Sequence, residues 1–225
     1  MNNIKDYRSE ELKIFVLANV LMILCIEKVI TWDRLISGDA VLLKLILVII
    51  DSAVLLAIWY SFVYFADALF PTNIKNKIVY FGSPLPGQTV FTILSTKTVD
   101  ERFTKEQIVE KYSDIINNFP KSKKEKLYYE NCKWYSIYNM YRDKTMVLVS
   151  NRDYLLCRDM TVSVVVIFIL YFVMVFAFHV FEFKFEAFLY FVFAFLVTNL
   201  ATRQKGRRYV NNVIACDLNE MPRKN

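Results

Sequence analysis

The residues best suited to chemistry are cationic and aromatic, and they sit close together: Lys133, Trp134, Tyr135, Arg142, Arg152 and Arg158, with Asp159 just beyond. Guanidinium groups fork onto phosphate oxygens, and aromatic faces stack on bases or pair with cations. The six are therefore candidates for holding a phosphorylated small ligand such as a nucleotide. A plainer reading has Trp134 and Tyr135 packed in a core while the arginines reach lipid headgroups or pair with acids.

Other chemistries have little material to work with. The one histidine, His179, lies at the end of an apolar run with no carboxylate cluster around it, which disfavours metal or general-base roles. No histidine is near the serines and cysteines of the central region, so nucleophilic hydrolysis lacks a base. Gly82 and Gly87 lack the spacing and following lysine of a phosphate-cradling loop. Cys25, Cys132, Cys157 and Cys216 have no metal-ligand spacing and read as free thiols. The residues thus point to no enzyme, no metal and no cofactor.

The elements that must position these residues are unusually apolar. Hydrophobic residues make up 56% of the 225-residue chain, aromatics 16%, and glycines number four. Such a balance is too apolar for a soluble domain and is segregated into blocks. The blocks predict a mainly α membrane protein with four transmembrane helices, over about 14–32, 40–70, 151–180 and 185–202. They form two hairpins, 1–70 and 151–202. Between helices two and three lies a small α or α+β domain, 71–150, and a tail follows over 203–225. Asp51 and Asn199 fall inside apolar blocks and are candidate intramembrane polar residues, for helix packing or for lining a path.

The central region and its flanks carry more than half of the 28 Lys and Arg residues. By the positive-inside rule the central domain and both termini face the cytoplasm. Within the domain, NKIVYFGSPLPGQTVFTILST alternates β-favouring residues around a Gly82–Gly87 turn and predicts a β-hairpin or extended loop. Thr104 and Gln107 form a capping box before an amphipathic helix, Ser122 with Glu125 opens a second, and Ser150 with Asp153 opens a third. KTMVLVS ahead of Ser150 is a candidate strand. In the tail, Tyr209, Val210, Val213, Ile214 and Leu218 repeat at helical spacing behind a basic start.

The order of these features, with GSPLPGQT at 82–89, DERFTKEQIVEKY at 100–112, NCKWYSIY at 131–138, NRDYLLCRD at 151–159 and RRYVNNVIACDL at 207–218, resembles small bacterial four-span membrane proteins of the anti-phage defence effector and sensor type. That resemblance implies a non-enzymatic inner-membrane sensor or effector. It would oligomerise and alter membrane permeability when its cytoplasmic domain meets a ligand or partner. Its expected partners are the lipid bilayer, further copies of itself, and either a soluble protein or a nucleotide second messenger, with no direct nucleic-acid binding. Two other readings stay open: a membrane anchor or scaffold that recruits a soluble partner, and a small transporter built around Asp51.

Overall fold

A computed structural model describes residues 3–28, 53–54, 57–65, 69–97 and 100–220. Among the described residues the regular structure is helical throughout. The elements are α1 (Asn3–Ile26), a helical stretch over 57–65, α2 (Thr72–Tyr80), α3 (Val90–Thr96), α4 (Lys105–Asn117), α5 (Lys123–Tyr141), α6 (Thr145–Phe176) and α7 (Phe185–Asn219). A short 3-10 turn at Pro86–Gln88 precedes α3. The chain divides into two units, Met1–Val79 with Leu156–Leu200, and Tyr80–Leu155 with Ala201–Asn225.

The four-span expectation is not met. Among the described residues only α6 and α7 are long and apolar enough to cross a membrane. α1 falls short for a geometric reason. Its stretch free of charged residues starts at Ile14, and the helix ends at Ile26, where Glu27 and Lys28 turn the chain and Lys28 takes φ 57°. At 1.5 Å per residue that stretch is roughly 20 Å long, against a hydrocarbon core of about 30 Å. Most of the expected second span, including Asp51, lies outside the described residues.

The first unit packs Val16, Val20, Ile23 and Leu24 of α1 with Trp59, Val63, and the apolar side chains Val162, Ile167, Tyr171 and Phe191 of α6 and α7. Several polar side chains inside it are paired, which offsets the cost of burying them. Tyr190 donates to Asn19 Oδ1 at 2.9 Å, Tyr171 donates to Glu27 Oε1 at 2.9 Å, and Lys184 pairs with Glu27 at 3.1 Å. Asn199 is buried and its amide donates to the Val79 carbonyl at 2.8 Å, so among the two roles considered it serves packing.

The second unit has its own core, in which Val90, Phe91, Leu94, Ile108, Tyr112, Trp134, Val147, Val213 and Ile214 are buried together. α4 starts where the capping box places it: Thr104 Oγ1 accepts from the Gln107 amide at 3.4 Å and Gln107 Oε1 accepts from the Thr104 amide at 2.8 Å. α5 begins after Ser122, but that serine makes no side-chain cap.

Two β expectations fail. The segment expected as a β-hairpin or extended loop is instead α2, a turn through Gly82 at φ 78°, the 3-10 turn and α3. Val90, Phe91 and Leu94 meet the core only at helical spacing, and burial outweighs the modest strand preference of Val and Ile. KTMVLVS is likewise helical: α6 starts at Thr145, Val147 faces the core, and Ser150, expected as a cap, bonds back to the Met146 carbonyl at 2.8 Å.

Candidate functional site

The six candidate ligand residues are not gathered at one place. Trp134 is 7% exposed and stacked on Tyr138 with centroids 5.6 Å apart, so its face is used in the core. Lys133 sits over the Tyr129 ring at 5.4 Å, Tyr135 is exposed, and Arg142 lies beside its neighbour Asp143. Arg152 bonds Asp153 at 2.9 Å, and Asp153 also receives Lys205 at 2.9 Å. Burial pushes the Asp153 carboxyl up, but these two cations hold it below the ordinary carboxylate range. Arg158 belongs to the first unit, where it and Lys75 pair with the buried Asp159 at 3.1 and 3.5 Å.

What the second unit does assemble is a cavity of about 420 Å³. One wall is α7, which presents Arg203, Arg207 and Asn211, spaced i, i+4 and i+8 so that one helical face carries all three. The other wall is Ser83, Pro84, Pro86 and α3, whose Val90, Ile93 and Leu94 supply apolar surface and whose C-terminal flank ends in Lys97. No Asp or Glu lines the cavity among the described residues.

Two local features hold this wall pair in shape. Phe81 at φ 50° and Gly82 at φ 78° reverse the chain after α2, with the Ser83 amide bonded to the Tyr80 carbonyl at 2.9 Å. On α7, Gly206 lets the ring of Tyr80 approach the helix: a Cβ there would lie 2.7 Å from the Tyr80 oxygen and 3.1 Å from Tyr154. Arg203 stands 5.7 Å from the Tyr80 ring centre and 5.8 Å from that of Phe81, within cation–π range. Burial, and then Tyr154, push the Tyr80 phenol far above its ordinary range, while Arg203 and Arg207 oppose that shift. Tyr80 therefore stays a neutral wall.

Scans against protein-family models, curated proteins and solved structures find no match. Function must therefore be read from the site itself. Two guanidinium groups beside apolar surface, in a cavity of this size, are able to hold a small anionic ligand. Among the described residues no group of His, Cys, Asp and Glu is placed to hold a metal ion. The i, i+4 arginine pair is visible in RQKGRR, but its opposite wall comes from residues more than a hundred positions earlier, which no local pattern announces.

Proposed function

We propose that the protein is a non-enzymatic membrane sensor or effector of the bacterial inner membrane that responds to a negatively charged small ligand. One observation carries this reading. α7 bears both an apolar segment long enough to cross a membrane and, further along the same unbroken helix, Arg203 and Arg207 of the cavity. A ligand that draws on those arginines acts on a helix that also meets lipid.

In this reading α6 and α7 form a two-helix membrane hairpin, with the second unit and the C-terminus in the cytoplasm. Copies associate through the apolar face of α7, where Leu189, Phe193, Leu196 and Leu200 are exposed, and ligand binding changes membrane permeability. Anti-phage defence is the setting that the four-span resemblance suggested, and it stays part of the proposal. The test is reconstitution into liposomes holding a potassium diffusion potential. AMP added on the side of the second unit is expected to dissipate the potential, and R203Q/R207Q protein is expected not to respond. A potential that survives AMP and inorganic phosphate in the unaltered protein overturns the effector reading.

A second reading, an anchor that recruits a soluble partner, is favoured by Tyr128, Tyr135 and Met140 of α5, which are 72%, 53% and 65% exposed. It predicts that Y128A/Y135A loses a co-purifying protein while the liposome response is unchanged.

A further inference from the structure

The cavity has two chemically different walls, and that difference restricts the ligand more narrowly than charge alone. Arg203 and Arg207, one helical turn apart on α7, offer paired guanidinium forks, and Asn211 one turn further extends the row of donors. A tetrahedral phosphate matches that donor set better than a halide or a lone carboxylate. Facing it, Val90, Ile93 and Leu94 with Pro84 and Pro86 supply apolar surface, beside the hydroxyl side chains of Ser83 and Thr89. A bare inorganic anion would leave that surface wet.

We infer that the cavity takes a phosphate ester bearing a compact apolar or aromatic group. The phosphate lies on Arg203 and Arg207, and the organic group lies against Ile93 and its apolar neighbours. The inference rests on the anion-receptor reading above and adds the ligand class. Lys97, at the C-terminal flank of α3, also lines the cavity and adds a third positive charge to it. Two sources supply such chemistry. One is a soluble phosphate ester. The other is a lipid phosphate, because Arg203 follows Leu200 of the apolar segment by about 4.5 Å of helix rise.

The test uses the full chain in phosphatidylcholine nanodiscs and calorimetric titration with phenyl phosphate and inorganic phosphate. Phenyl phosphate is expected to bind at least about tenfold more tightly, because its ring leaves water against the apolar wall. Arg207→Gln is expected to weaken both probes by about tenfold or more. Ile93→Ser, at a position 40% exposed and so tolerant of change, is expected to weaken phenyl phosphate alone. Phosphatidic acid added to the nanodisc competes with phenyl phosphate if the bilayer is the source and leaves it unchanged if the ligand is soluble, and either result supports the ester class. Equal affinities for the two probes, or an Ile93→Ser protein that binds phenyl phosphate normally, overturn this inference and leave the anion reading standing. Binding of neither probe, or binding indifferent to Arg207→Gln, overturns both.

Discussion

The two units bury their apolar side chains in different ways. In the second unit the large hydrophobics Phe91, Leu94, Ile108 and Tyr112 are shut away from solvent by the unit's own helices. In the first, α7 has only 22% of its most apolar window buried, against 50% for α6, and Leu189, Phe193, Leu196 and Leu200 stand outward. An exposed stripe of that size is unusual on a soluble surface and ordinary against lipid. One unit makes its own apolar interior. The other also buries a core of its own but carries in addition this outward stripe, with polar groups such as Tyr171 and Glu27 paired inside it.

Substitutions of similar chemistry should therefore have unlike effects in the two units. Phe91→Ala is expected to lower the stability of the second unit by about 3–5 kcal/mol, because it empties a fully buried site. Phe193→Ala, at a site 67% exposed, is expected to change stability in detergent by less than about 0.5 kcal/mol. Chemical denaturation followed by tryptophan fluorescence compares the two, and equal losses would dissolve the distinction.

Gly206→Ala sharpens the picture of the second unit. A helix interior normally gains about 1 kcal/mol from Gly to Ala. Here the new methyl meets Tyr80 and Tyr154, so a net loss of about 1–3 kcal/mol is expected. A rise in melting temperature would show that the close approach of Tyr80 to α7 is not made.

Smaller effects come from polar anchoring. Thr104→Ala removes the α4 cap and should cost about 1 kcal/mol. Acid should also weaken the second unit. The side chain of Arg102 holds Asp100 below the ordinary carboxylate range, and Lys205 and Arg152 do so for Asp153 against the effect of burial. Because both folded pKa values are depressed, their stabilisation is fully present above about pH 5 and is lost as pH falls through the folded values. D100N/D153N protein should have a flatter acid limb in thermal melts between about pH 5 and pH 3, the difference being on the order of 1 kcal/mol. Parallel limbs for the two proteins would remove these carboxylates from the account.

Local signals were legible in the sequence and distant ones were not. Thr104 and Gln107 act across one helical turn, so their spacing alone places the start of α4. The stripe Tyr209, Val210, Val213, Ile214 and Leu218 likewise names its buried face, since periodicity within one helix needs no partner to be read. Val90, Phe91 and Leu94 misled because their preference for strand is weak beside the burial that a short helix gives them. Arg152 and Arg158 look like neighbours in the sequence, yet they belong to different units, and only the fold assigns one to Asp153 and the other to Asp159. The cavity was hidden for the same reason. Half of it is a helical arginine pair, and the other half is a wall that expectation had given to a β-hairpin or extended loop.

The contrast between the units is tested most directly by where the chain is reached from outside the cell. Cys132 is exposed on α5 of the second unit, and His179 lies in the connection between α6 and α7. In spheroplasts a membrane-impermeant maleimide is applied to two proteins, one retaining only Cys132 and one with His179→Cys as its only cysteine. The account predicts labelling of His179→Cys in intact spheroplasts and of Cys132 only after permeabilisation; labelling of both from the same side would contradict a membrane hairpin of α6 and α7.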